Sequence, residues 1–244
     1  MRDIEDAYGH AMYDGFLGKI AINIVERDDG YIDVDQLGSA CYLSEYKNWP
    51  DYYKRALKYA SGRMLDVGCG AGRIALYFQN KGFHTTGIDI SPLAIKTCRA
   101  RGLKDARSMS ISQVNSNLGK FDTIFMLGNN FGLFENERKA KWLLRRFRSI
   151  TNPGAIIIAE SNEYTQTTEP LHLWYHKYNK QRGRMPGQVR IRVRYKKYAT
   201  PFFDYLLVTR REMEEIVRNT GWGIRMFVES NDSKYIAIIE KQDI

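Results

Sequence analysis

The stretch RMLDVGCGAGRIALYFQNKGFHTTGIDIS, residues 63–91, limits what this chain can fold into more than any other feature. RMLDV reads as a buried strand, the glycines at 68, 70 and 72 as a tight turn, GRIALYFQNKG as a helix closed by Gly82, and HTTGIDI as a second strand ending in an acid. Two strands joined through a helix run parallel in one sheet, because the crossover returns the chain to the same edge. A glycine turn after such a strand lets backbone come close to a ligand, and an acid ending the next strand can accept hydrogen bonds from ribose hydroxyls. Asp89 lies 17 residues beyond Gly72, near the distance this arrangement needs. The local prediction is half of a nucleotide-binding unit.

The remainder continues the alternation of short apolar runs and helical patterns that marks a parallel sheet covered by helices. SPLAIKTCRARG predicts a helix capped by Ser91, with Pro92 at its first position and Gly102 as its stop. ARSMSI is a weak strand and FDTIFML a strong one; ENERKAKWLLRRFRSI carries acids in its first turn and bases in its last, as the helix dipole favours. AIIIAES is a fifth buried strand, REMEEIVRNTG a helix behind Thr209 with Gly221 at its end, and IRMFVES and KYIAIIEK are closing strands separated only by Asn231, Asp232 and Ser233. So short a link makes that last pair antiparallel. Two additions surround this core. Residues 1–61, an aromatic-rich extension with a turn at Asp28-Asp29-Gly30, read as helix, short strands and a helix from about Pro50. Residues 162–208, inserted in the core domain of residues 62–244, end in QVRIRVRYKKYATPFFDYLLV, whose alternation predicts a two-stranded ribbon turning near Ala199-Thr200-Pro201.

With 244 residues and 43% apolar content, the chain can bury one substantial core. Its longest aliphatic run, residues 155–159, is far too short to span a bilayer, and the opening MRDIEDAYGH is too charged for a signal peptide, so a cytoplasmic protein is expected. Three widely spaced cysteines offer neither a disulfide framework nor a metal site, and His172 and His176 lack the pattern of a zinc motif, so no metal is expected. The net charge of +9 is local: nine cations and no acid fall between Lys177 and Lys197, equal to the whole excess.

The turn discriminates among nucleotides. In a dinucleotide fingerprint the third glycine would fall at Arg73, and no GKS or GKT ending follows. Asp66, two residues before Gly68, would repel a pyrophosphate but attract an ammonium group, directly or through water. A ribose and a cationic amino-acid end suit both acids, which describes S-adenosylmethionine. LDVGCGAGR with GIDIS resembles motif I and the following acidic position of the class I S-adenosylmethionine-dependent methyltransferases, and the resemblance covers residues 62–244 in element order. It implies a seven-stranded α/β sheet of order 3-2-1-4-5-7-6 with the last strand antiparallel. It also implies that Asp66, Gly68 and Gly70 hold the methionine end, with Cys69 and Arg73 among the cofactor-binding residues, Asp89 the ribose, and Ile90 the underside of the adenine. Ser110 and Ile111 match the place that usually faces the adenine amino group, and Leu127 and Gly128 follow the fourth strand at the cofactor. Cys69 reads as a small residue fitting the turn rather than a nucleophile.

Methyl transfer needs mainly an aligned, deprotonated nucleophile and the exclusion of water. Candidates to align it should emerge from the fourth and fifth strands, at MLGNNFG and AESNEY. LGNN resembles the LGNS stretch of glycine and related small-amine N-methyltransferases, which points to Asn129 and Asn130, and the sequence lacks the Asn/Asp-Pro-Pro-Tyr signature of enzymes acting on DNA bases. Glu160 and His176 are candidate bases. Tyr42, Glu45, Tyr46 and Trp49 are candidates for an aromatic amine pocket, with the alternative that they simply pack the extension on the core. Three functions stay open: methylation of a small-molecule nitrogen or oxygen, methylation of tRNA or rRNA through the basic ribbon, and non-catalytic cofactor binding. In the ribbon, Arg190, Arg192, Arg194 and Lys196 alternate with Val189, Ile191, Val193 and Tyr195, so its apolar face needs cover, from its own sheet or from a second subunit in a homodimer; the cations are expected in solvent or facing an anionic substrate.

Overall fold

The computed structural model describes residues 1–35 and 38–243. In chain order the elements are α1 (Ala7–Phe16), β1 (Asn23–Arg27), β2 (Ile32–Asp35), α2 (Ala40–Leu43), α3 (Asp51–Ala56), β3 (Met64–Val67), α4 (Arg73–Asn80), β4 (Thr85–Asp89), α5 (Pro92–Ala100) and β5 (Ala106–Ser108). They continue with β6 (Phe121–Met126), α6 (Glu137–Ser149), β7 (Thr151–Asn162), α7 (Pro170–Gln181), β8 (Gln188–Tyr195), β9 (Tyr198–Ala199), β10 (Phe203–Leu206), α8 (Arg210–Val217), β11 (Trp222–Glu229) and β12 (Lys234–Lys241). A seven-stranded sheet has the order β11-β12-β7-β6-β3-β4-β5. Counted along the chain this is the expected 3-2-1-4-5-7-6. β12 is antiparallel to both neighbours, β7 and β11. None of the described helices is long and apolar enough to cross a membrane.

Local chemistry accounts for the elements. All four residues of β3 are buried, as are Ile156, Ile157, Ile158 and Ala159 of β7, which is how strands covered on both faces read. Ser91 caps α5 by accepting from the Ala94 amide at 2.9 Å, with Pro92 at the first helical position. Asn136 caps α6, and Thr209 and Glu212 form a reciprocal capping box at α8.

The chain divides into two compact units. The first comprises residues 1–49, 62–113 and 190–203; the second comprises residues 50–61 and 114–189 and the chain from Asp204 on. Within the first unit the β1–β2 hairpin lies beside β8, with Ile24 opposite both Val34 and Arg194, and α1 packs on it through Ala7, Ala11, Val193 and Tyr195. The ribbon therefore differs from expectation in two respects. Its turn is the dipeptide Lys196-Lys197, with Tyr195 paired to Tyr198 and Lys196 at φ 52°, instead of lying near residues 199–201. Its cations, though partly exposed, also pair with carboxylates of the same chain: Arg192 and Arg194 both reach Glu26, and Lys196 reaches Asp14. Both acids come from the N-terminal segment, so alternation within residues 188–208 could not reveal them. The apolar face finds cover from α1 of the same chain.

Candidate active site

In the first unit, β3 carries Asp66 one residue before its end at Val67, and the turn that follows has Gly68, Gly70 and Gly72 at φ 68°, 54° and 79°. The amides of Gly68 and Cys69 both donate to the Ile88 carbonyl, which ties the turn to β4. Beside it, one carboxylate oxygen of Asp89 accepts from the Gly70 amide and the other from the Ser91 amide, each at 2.9 Å. The Ile90 amide adds a third backbone bond, and of the roughly four acceptor directions of a carboxylate one remains for a ribose hydroxyl. Next to it Ile90 is 53% exposed, an apolar surface that a planar ring would cover. Asp66 is buried and accepts from the Ala75 amide at 3.3 Å; burial pushes its carboxyl up to about 7. Burial raises Asp89 as well. Cys69 and Cys98 lie 3.9 Å apart beneath the turn, and their mutual contact together with burial pushes the Cys69 thiol well up, which leaves it no nucleophile.

The N-terminal extension is built onto this turn. A Cβ on Gly70 would meet Met12 and Tyr42 at 3.4 Å, an ordinary contact, so it is the positive φ that calls for glycine there. Arg101 donates to the carbonyls of Ala71 at 2.6 Å, Leu43 at 3.2 Å and Tyr42 at 3.4 Å, and Arg73 donates to Cys41. Two guanidinium groups thus fasten α2 to the glycine turn.

In the second unit, β6 runs into Gly128 at φ 76° and Asn129 at φ 60°, two successive left-handed residues. Their conformation is held by Glu160 from β7, which is 2% exposed. Its Oε2 accepts from the Gly128 amide at 2.5 Å, the Asn129 amide at 3.1 Å and the Tyr53 hydroxyl at 2.5 Å, and its Oε1 accepts from the Tyr52 hydroxyl at 2.8 Å. The Tyr205 hydroxyl donates to the Asn129 carbonyl at 2.6 Å. A Cβ on Gly132 would overlap the Tyr205 ring at 2.3 Å, so that tyrosine reaches the loop only because residue 132 is glycine. After all this, Asn129 Oδ1 is buried with no hydrogen-bond partner. A buried orphan acceptor costs about 1–3 kcal/mol, a cost that a ligand donor would remove.

Known proteins resemble this chain in sequence and in fold. Residues 64–154 match the family model described as a methyltransferase domain. A SAM-dependent methyltransferase from Bacteroides fragilis, solved in complex with S-adenosyl-L-homocysteine, aligns over 100% of this chain and 98% of its own, with TM-score 0.84 and 25% identity. Residues 64–154 thus carry a methyltransferase domain, in a chain with the class I S-adenosylmethionine-dependent methyltransferase fold. A ubiquinone biosynthesis O-methyltransferase of Xylella fastidiosa is 39% identical over 54 residues, 22% of this chain and 22% of that protein. A glycine/sarcosine N-methyltransferase of Halorhodospira halochloris is 27% identical over 166 residues, 65% of this chain and 56% of that protein. The chain thus spans less than two thirds of either relative's length.

The structure places the sequence candidates unevenly. Asp66, Gly68, Cys69, Gly70, Asp89 and Ile90 gather around one turn. The Ser110 amide donates to the Gln113 side chain, and Ile111 opens a short 3-10 turn at the end of β5. Leu127 is buried beside Gly128, and Asn130 begins the turn that follows Asn129. The aromatic candidates serve packing: Tyr46 stacks on Tyr77 of α4 at 4.5 Å, and Trp49 is buried, its indole donating to the Ser44 carbonyl. Glu45 points outward, with 71% of its side chain exposed and Lys47 3.1 Å away, so it lines no amine pocket. His176 sits on α7 with its ring edge against Tyr164 at 4.8 Å. Among the described residues, no cluster of His, Cys, Asp and Glu could hold a metal. Sequence reading missed Tyr52, Tyr53, Tyr205 and Arg101. The tyrosine pair behind Pro50 was visible as residues but carried no signal, because its partner lies 107 residues away at the nearest.

Proposed function

We propose that the protein transfers the methyl group of S-adenosylmethionine to a nitrogen or oxygen of a small molecule, with Asn129 as the residue that orients the acceptor. The observation carrying this reading is the buried, unpartnered Oδ1 of Asn129. An acceptor that still bears a hydrogen would donate it to this oxygen, and the direction of that bond fixes where the nucleophile's lone pair points. Alignment of this kind is worth most in the transition state. The bound cofactor supplies the electrophilic methyl group on a sulfonium. Asp89 has an acceptor direction for its ribose, Ile90 an apolar surface for its adenine, and the ionised Asp66 a charge that favours its ammonium group.

The matched relatives, by their names, act on ubiquinone precursors and on glycine or sarcosine, which supports a small acceptor. The ribbon gives RNA little to hold, since Arg192, Arg194 and Lys196 already have carboxylate partners. The test is incubation with methyl-labelled cofactor in a metabolite extract, with label counted in small-molecule, protein and RNA fractions. Label is expected among small molecules; label confined to RNA would overturn the reading.

A further inference from the structure

Glu160 had the attributes of a catalytic base: an acid at the end of a buried strand, next to the acceptor loop. Its surroundings assign it a different role. A general base must have an oxygen within hydrogen-bond reach of the proton it takes. Here three donors converge on Oε2 and a fourth holds Oε1, and the side chain is 2% exposed. Two of those donors are the backbone amides of Gly128 and Asn129, which two successive left-handed residues aim inward. The other two are hydroxyls from adjacent residues of α3, Tyr52 and Tyr53, and the Tyr53 hydroxyl also accepts from the Gly128 amide at 3.0 Å. A left-handed pair at the end of a strand is held only if the surroundings over-determine it, and this knot does so from three elements.

We propose that Glu160, Tyr52 and Tyr53 are positioning residues that lock Gly128 and Asn129 in the conformation presenting Asn129 Oδ1, and that Glu160 takes no proton during turnover. This rests on the acceptor-side role of Asn129 given above. It carries a consequence for the reaction: with its nearest carboxylate engaged, the loop supplies alignment without a base. The acceptor must then reach it already bearing a free lone pair, and the rate must follow the acceptor's own ionisation.

The two roles diverge under substitution. In Glu160→Gln the amide oxygen can accept from the two backbone amides, and the amide nitrogen can donate to the Tyr52 hydroxyl, which is able to accept. Glu160→Ala removes the carboxylate that all four donors share. Amide exchange at Gly128 and Asn129, followed by NMR on the full chain, needs no acceptor and reports the lock directly. Both amides should be protected in the native protein and in Glu160→Gln, and exchange faster in Glu160→Ala and in the milder Tyr53→Phe. With an acceptor from the extract screen, Glu160→Gln should keep turnover within about tenfold and leave the pH profile in place, and cofactor affinity should be unchanged in all three variants. Loss of a general base costs roughly a hundredfold to ten-thousandfold. A Glu160→Gln variant that keeps both amides protected yet loses turnover on that scale would overturn the proposal, as would unchanged exchange in both Glu160→Ala and Tyr53→Phe. Absence of any methyl acceptor would count against the proposed function while leaving the exchange result to be read by itself.

Discussion

The glycine turn of the first unit and the Glu160 knot of the second are both built around a buried acid, but they are assembled in opposite ways. Around the turn, Asp66, Gly70 and Asp89 fall within one strand–helix–strand segment, and the bonds that shape it are short-range, such as that from the Gly70 amide to Asp89. The knot draws Tyr52, Tyr53, Gly128, Asn129, Glu160 and Tyr205 from separate stretches of chain. The turn leaves an acceptor direction on Asp89 open, while the knot uses its carboxylate on the protein itself. One acid is kept for a ligand and the other for the backbone.

The sharpest way to break this contrast is at Asp89. Removing the ribose acceptor in Asp89→Ala should weaken S-adenosylmethionine and S-adenosylhomocysteine alike by about 2 kcal/mol, near thirtyfold. Calorimetry showing unchanged affinity would mean that this acid, too, is kept for the backbone. NAD should not bind either protein.

Next in size is a pH effect. Asp66 attracts an ammonium group only when ionised, and burial holds its carboxyl up at about 7. Its contribution is therefore complete above that value and lost as pH falls through it. Cofactor affinity should drop by up to about tenfold per pH unit between 7 and 5, and the slope should vanish in Asp66→Asn. A native profile as flat as that of the variant would place the ammonium group elsewhere.

On the knot, Tyr205→Phe removes one hydrogen bond to the Asn129 carbonyl, worth about 1 kcal/mol. Turnover should fall several-fold with cofactor affinity unchanged. An equal loss in both would show that the two regions are not energetically separate. The smallest effect belongs to the ribbon. Glu26→Gln breaks the ion pairs to the partly exposed Arg192 and Arg194, and thermal unfolding should show a loss of at most about 1 kcal/mol. If the variant gains salt-dependent RNA binding that the native chain lacks, the ion pairs are what keeps those cations from phosphates.

The cofactor region was legible in the sequence because its determinants are contiguous. The left-handed turn needs glycine at fixed spacing, the parallel strands need unbroken apolar runs, and the antiparallel pairing of the closing strands follows from a three-residue link. Even the antiparallel β12 was readable, since a link that short permits only a hairpin. The acceptor region was legible only in part. Asn129 and Glu160 stood out as polar residues at strand ends, but nothing local distinguishes a carboxylate awaiting a substrate from one already holding four donors. Tyr46 and Trp49 posed the same ambiguity, which the stacking of Tyr46 on Tyr77 resolved in favour of packing.

The sequence by itself determined the fold class and the place of the cofactor turn, because both depend on backbone preferences and hydrophobic periods set locally along the chain, and the strand order followed from the family resemblance that the turn carries. Only the tertiary structure decided which acid is free and which is spent, where the ribbon turns, and what its cations face. Those outcomes depend on partners such as Tyr53 for Glu160 and Glu26 for Arg192, separated by 107 and 166 residues, and hydrogen bonds and ion pairs act over a few ångströms of space whatever the distance along the chain.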